Sequence, residues 1–126
     1  MKLSASHGKK ISEPTDQQIN KAIDDIEDKN GSFVILDTDN GFVQAAGSLP
    51  DKLLVEYQID GKHFQSISQN LSANQVQDIF KQFCHGLSDY KRDYEWKEVE
   101  LSKSGGAGCA PILLILSVVF VWQVAL

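Results

Sequence analysis

Apolar residues recur with helical spacing in two segments of the chain. The first segment has apolar side chains at the i, i+3, i+4 and i+7 positions, namely Ile19, Ala22, Ile23 and Ile26. Thr15 and Gln18 form a Thr-x-x-Gln capping box, so the helix is expected to begin directly after Thr15. Asn30-Gly31 predicts its end, because Asn and Gly tolerate the left-handed backbone that commonly follows a helix.

The second helical segment carries the same two signals. Ser72 and Gln75 form a capping box, and Leu71 precedes it in position to contact Val76. The helix is expected to end at Gly86. Its predicted apolar stripe consists of Val76, Ile79, Phe80 and Phe83.

Between the two helices the pattern changes to short runs that are typical of strands. The four runs are SFVILDT, FVQAAGS, KLLVEYQI and KHFQSIS. Asn40-Gly41 and Asp60-Gly61 predict tight hairpins between them. We expect His63, beside the second turn, to be exposed. A fifth run, YEWKEVEL, follows the second helix and is typical of an exposed edge strand. Buried positions are expected at Leu54, Tyr57, Ile59, Phe64 and Ile67.

The resulting order, α-β-β-β-β-α-β, predicts an α+β fold. Two sequential hairpins imply a mostly antiparallel sheet, and two amphipathic helices need a sheet face to cover. We therefore expect a two-layer sandwich over residues 15–101. Residues 1–14 lack the apolar segment of a secretory signal, and we interpret them as a flexible N-terminal arm.

The C-terminal residues 110–126 are almost entirely apolar and show no polar stripe. About 20 residues are needed to cross a bilayer as a helix, so this segment is at the short end of adequate. We expect a single-pass transmembrane anchor, joined to the domain by a Gly-rich linker at 102–109, with the domain facing the cytoplasm. The alternatives are a buried core helix and a C-terminal sorting or lipid-anchor signal.

Charge restricts the partners that the domain can bind. The 12 Lys and Arg and the 17 Asp and Glu all lie within residues 1–103 and give a net charge of −5. An acidic domain is poorly suited to nucleic acid, whose binding needs a basic surface, whereas it is compatible with a basic protein partner. The candidate partner-binding residues lie on the first helix and on the edge strand: Asp24, Asp25, Asp28, Glu95, Glu98 and Glu100.

The residues that could support catalysis or metal binding do not form a recognisable motif. DTDNG, residues 37–41, fails the EF-hand pattern because Leu36 would take the first ligand position. Cys84 and His85 are sequence neighbours, which point about 100° apart on a helix and do not form a nucleophile–base pair by themselves. We predict no cofactor, no metal and no catalytic residue. A small hydrolase that uses Cys84, His85 or carboxylates stays open as an alternative.

Residues 19–64 resemble the N-terminal half of small bacterial immunity proteins encoded beside polymorphic toxins. The resemblance consists of Ala22-Ile23-Asp24 in the helix, Phe33-Val34-Ile35-Leu36 in the first strand and Val55-Glu56-Tyr57 in a later strand. It implies a non-enzymatic protein that binds and blocks a toxin. Together with the apolar segment, it predicts a membrane-tethered, immunity-like binding module. A structural subunit of a membrane complex is a further alternative.

Overall fold

An antiparallel sheet of seven strands forms the centre of the part of the chain that the structure describes. The structure is a computed structural model, and it describes residues 1–6, 8, 10–26 and 32–99. The spatial order of the strands is β2-β1-β3-β4-β5-β6-β7. Their bounds are Lys2–Ala5 (β1), Lys10–Ser12 (β2), Phe33–Thr38 (β3), Gly41–Ser48 (β4), Lys52–Ile59 (β5), Lys62–Ser66 (β6) and Trp96–Val99 (β7).

Two amphipathic helices begin where the capping boxes predict. Helix α1 spans Asp16–Asp24 and α2 spans Ala73–Cys84, and a short helix α3 follows at Tyr90–Asp93. In α1 the Gln18 backbone N–H donates to the Thr15 hydroxyl at 3.2 Å, and the Thr15 N–H donates to the Gln18 side chain at 2.9 Å. Ser72 and Gln75 repeat these bonds in α2 with the same distances. Helix α1 is shorter than predicted, because Asp25 already has the C-cap position.

The two helices pack on one face of the sheet, which we call the helix face. Its core joins Ile19 and Ile23 of α1 with Val76, Ile79 and Phe80 of α2, all fully buried. Each strand contributes every second residue to this face, because side chains alternate between the two faces of a pleated sheet. These strand residues are Leu3, Val34, Leu36, Val43, Ala45, Leu53, Val55 and Tyr57.

The opposite side of the sheet, which we call the second face, carries its own buried apolar cluster. Ile35, Phe42, Ala46 and Leu54 form it, with Phe33 packed alongside. These strand residues alternate with those of the helix face and point to the opposite side, so helices α1 and α2 do not cover them. The central strands are therefore apolar on both faces.

The predicted α+β class and antiparallel sheet are confirmed. From α1 to β7 the observed order is α-β-β-β-β-α-α-β, in which the short helix α3 was not predicted. The prediction of a flexible arm at residues 1–14 is wrong. Strand β1 pairs with β3 and β2 pairs with β1, so both belong to the sheet. Leu3 is buried in the main core, and its burial favours this pairing. A four-residue strand is too short to produce a readable alternation pattern.

The two predicted hairpins form, with a small shift in the first. Thr38 pairs with Gly41, so the turn residues are Asp39 and Asn40 and Gly41 already belongs to β4. In the second hairpin Asp60 and Gly61 have φ values of 52° and 80°, the left-handed values that a tight two-residue turn requires.

The predicted linker at 102–109 and the predicted anchor at 110–126 lie outside the described residues. Within the part of the chain that the structure covers, no helix has the length and apolar character needed to cross a membrane.

Candidate functional site

The acidic residues of α1 are engaged in contacts inside the domain. Asp24 accepts a hydrogen bond from the Gln77 side chain of α2 at 2.9 Å, and Gln77 also donates to the Asn20 carbonyl at 2.9 Å. Asp25 lies 3.2 Å from the Lys21 ammonium group. Asp24 therefore helps join the two helices, and Lys21 partly neutralises Asp25. Both carboxylates are exposed, and both are already engaged in contacts within the domain.

The acidic residues of the edge strand are in a different situation. Glu95 and Glu98 are exposed, and neither forms an ion pair with another residue of the described ranges. They lie at the β7 edge, whereas α1 lies over the β1 and β2 edge. The structure therefore separates the two predicted acidic groups. Asp28 and Glu100 lie outside the described residues.

Ile67 adds an exposed apolar side chain next to Glu95. Its backbone N–H donates to the Glu95 carbonyl at 3.0 Å, so the two residues are neighbours across the end of β6 and β7. The prediction that Ile67 is buried is wrong, since 55% of it is exposed. The chain has left β6 at Ser66, so Ile67 no longer follows the strand's alternation. We call Ile67, Glu95 and Glu98 the edge patch because all three lie at the β6–β7 edge of the sheet, with Glu98 paired with Phe64 on the helix face.

The Cys84 and His85 alternative finds little support in the geometry. The His85 Nε2 atom lies 2.9 Å from the Asp16 carboxylate, in a pair in which both side chains are about half exposed. The Cys84 thiol contacts the Met1 sulfur at 3.3 Å instead of the imidazole. Burial raises the pKa of the Cys84 thiol, and the nearby charges of Asp16 and Glu13 raise it further. A catalytic thiol needs the opposite shift, because the thiolate is the nucleophile.

The second face holds a buried polar pair that the sequence analysis missed. His63 was expected to be exposed, but His63 and Glu56 are each only 1% exposed. The His63 imidazole Nε2 donates to the Glu56 carboxylate Oε2 across β5 and β6. The Phe42 ring lies 5.9 Å from the imidazole on the same face. The sequence does contain a signal for this burial. The strand runs have apolar residues at consecutive positions, as in sheets that are covered on both faces, so a polar residue such as Glu56 within a run is expected to be buried.

Three buried polar atoms in this row have no hydrogen-bond partner among the described residues. They are the Glu56 Oε1, the His63 Nδ1 and the Gln44 Oε1, all buried. Gln44 faces Glu56 directly in the β4–β5 register, so the atoms share one face of the sheet. Unpartnered buried polar atoms are destabilising. This row is therefore a point of weakness in an otherwise apolar layer.

A pocket of about 370 Å³ lies between α1 and the first two strands. Leu3, Ile11 and Ala22 provide apolar walls, while Lys21 and Asp25 stand at its polar side. It contains no group with unusual chemistry. Among the residues that the structure describes, no three His, Cys, Asp or Glu side chains gather in a way that could hold a metal ion. The DTDNG segment forms the β3–β4 hairpin, as its failed EF-hand match predicts.

Comparison with known proteins does not identify a family. No protein-family model, no curated protein and no solved structure matches the chain.

Proposed function

We propose that this protein is a non-enzymatic binding module that blocks a basic toxin, in the manner of the immunity proteins that residues 19–64 resemble. Among the described residues, that stretch includes most of α1, all of β3, β4 and β5, and the first part of β6. The four strands are neighbours in the sheet, so the resembling residues form a contiguous part of the fold, which is compatible with the comparison.

The edge patch is the proposed contact surface, and its composition is the observation that carries the proposal. It combines a large exposed apolar side chain, Ile67, with two exposed carboxylates that no described lysine or arginine pairs with. Protein interfaces commonly place an apolar anchor inside a polar rim. Carboxylates that lack internal partners are available to steer a basic partner toward the patch.

The acidic face of α1 is the weaker candidate surface. Asp24 and Asp25 already bond to Gln77 and Lys21. A partner that recruited these carboxylates would have to replace existing contacts. We therefore place the primary contact at Glu95 and Glu98, with Glu100 as a further acidic residue in the same stretch of sequence.

We further propose that residues 110–126 hold the module at a membrane. The support is the sequence of this segment, which has no charged side chain and no polar stripe. In this arrangement the domain faces the cytoplasm and meets the toxin close to the bilayer surface.

The test is a growth assay in a bacterial host. The protein tested as the toxin is the product of the reading frame next to the gene for this protein, expressed from an inducible promoter. The full chain is co-expressed as wild type, as Glu95→Lys/Glu98→Lys, or as the matched control Asp24→Lys/Asp25→Lys. We expect wild type and the α1 control to restore growth and the edge-patch variant to fail.

Failure of the wild-type chain to restore growth would refute the immunity-like function. Restoration by all three chains would refute the edge patch as the contact surface. If growth were restored by wild type and by the edge-patch variant but not by the α1 variant, the contact surface would be α1 and not the edge patch.

A further inference from the structure

We propose that residues 110–126 pack on the second face of the sheet of their own chain when no membrane is present. This proposal rests on the proposed function in one respect, which is that the same segment inserts into a bilayer when a membrane is present. It assigns an intramolecular docking surface to the anchor.

The second face needs a covering layer that the described helices do not supply. Ile35 and Leu54 are each 3% exposed and Phe42 is 1% exposed. Their cluster contains only strand residues, whereas the buried apolar residues of α1 and α2 belong to the cluster on the helix face. An apolar sheet face is stable in water only when another apolar layer removes it from solvent.

The anchor segment has the composition and the reach to provide that layer. It is the long apolar run outside the described residues. Strand β7 ends at Val99, which pairs with His63 at the border of the second face. Residues 100–109 can extend over about 33 Å, which exceeds the distance of roughly 15 Å across the four strands β3 to β6.

The dimensions of the surface also suit this occupant. Helical residues 110–126 would be about 25 Å long. The central strands β4 and β5, of eight residues each, extend over roughly 26 Å. One helix laid along these strands would therefore cover Phe42, Ala46 and Leu54 from end to end.

The buried polar row makes this packing reversible. An apolar helix buries the Glu56 Oε1, His63 Nδ1 and Gln44 Oε1 atoms without offering each of them a partner. Its outward side also stays apolar and in contact with water. Both effects weaken the docked state, so a bilayer is expected to draw the segment away and to expose the second face.

Photocrosslinking of the full chain tests the docking. Benzoylphenylalanine replaces Gln65, which faces Glu56 on the second face, or Phe64, which faces Glu98 on the helix face. The chain is synthesised without membranes, irradiated and digested, and the crosslinked peptides are identified by mass spectrometry. A mixture of light and heavy-isotope chains separates crosslinks within one chain from crosslinks between two chains. Gln58, also on the second face, is a second probe position in case the Gln65 variant does not fold.

We expect intramolecular crosslinks from position 65 to residues 110–126, none from position 64, and loss of the crosslink when phosphatidylcholine–phosphatidylglycerol vesicles are added during synthesis. No crosslink from either 65 or 58, equal crosslinking from 64, or crosslinks only between chains would overturn the proposal.

Flotation of the same samples with the vesicles tests the anchor independently. A chain that crosslinks but does not float would leave docking in place and refute the tether. A chain that floats but never crosslinks in the absence of vesicles would refute docking and leave the tether in place.

Discussion

Glu56 and His63 form a buried hydrogen-bonded pair on the face of the sheet opposite the helices. Each side chain has one polar atom that no other described residue hydrogen-bonds. The pair shares this face with the apolar side chains of Ile35 and Leu54 and with the buried amide of Gln44.

The first prediction concerns the coupling between these two residues. Glu56→Leu alone leaves the His63 imidazole buried without a partner, and it should lower the free energy of unfolding by about 2 kcal/mol or more. The double variant Glu56→Leu/His63→Leu removes both polar groups and should recover most of that loss. Urea denaturation of the full chain, followed by circular dichroism, measures the free energies. Gln58→Leu, on the same face but only half-buried, serves as the control and should have a small effect.

A double variant that is no more stable than Glu56→Leu alone would contradict this pair. Such a result would mean that Glu56 and His63 do not depend on each other, contrary to their contact in the structure.

The second prediction concerns stability at high pH. Burial, with a contribution from the nearby Tyr57, raises the pKa of Tyr90 to about 12. The unfolded chain loses the Tyr90 proton near pH 10, so between about pH 10 and 12 it binds fewer protons than the folded chain and stability falls as pH rises. The free energy of unfolding of Tyr90→Phe should fall by about 2 kcal/mol less than that of wild type over this range, and the two values should be equal at pH 7. Parallel curves for the two chains from pH 9 to 12 would show that Tyr90 has no raised pKa.

The third prediction concerns the reactivity of Cys84. Because burial and the Asp16 charge raise the pKa of the thiol, Cys84 should react with iodoacetamide more slowly at pH 7.5 than a free cysteine model compound. The measurement uses Cys109→Ser, in which Cys84 is the remaining cysteine. Asp16→Asn should increase the rate, since it removes a negative charge near the thiol. A reaction faster than that of the model compound would contradict this prediction and would favour the hydrolase alternative.

The fourth prediction compares two hairpin glycines. A Cβ atom at Gly41 would lie 1.7 Å from the Gln58 carbonyl oxygen, whereas a Cβ at Gly61 would meet nothing within 4 Å. Gly41→Ala should therefore lower the unfolding free energy by about 3 kcal/mol, the upper range for overpacking. Gly61→Ala, which is strained only by its positive φ, should cost about 1 kcal/mol. Thermal unfolding of both variants measures the difference. Equal losses of unfolding free energy in the two variants would show that Gly41 does not pack closely against β5.

Local sequence signals predicted the elements whose causes are local. The capping boxes at Thr15 and Ser72 are side-chain-to-backbone bonds within four residues, and both were predicted at the correct positions. The strand Lys52–Ile59 was also predicted with its observed bounds, because its run of apolar residues is long and bounded by turns.

Features that depend on distant residues were not predictable in this way. Strand β1 exists because it pairs with β3, about thirty residues away in the chain, and its four residues carry no pattern of their own. His63 follows a turn and would be exposed in an isolated hairpin, but it faces a buried side of the sheet. Ile67 has an apolar side chain but lies beyond the end of β6, where the strand no longer directs it inward.

The affinity of the full chain for the protein encoded by the neighbouring reading frame tests the proposed function most directly. Calorimetry in lipid nanodiscs would compare wild type with Glu95→Lys/Glu98→Lys and with the control Asp24→Lys/Asp25→Lys. We predict tight binding by wild type and by the control. For the edge-patch variant we predict a loss of affinity of about 100-fold, since like-charge contacts cost several kcal/mol at an interface. Absence of binding by wild type would contradict the proposed function, and equal affinities of all three chains would contradict the edge patch.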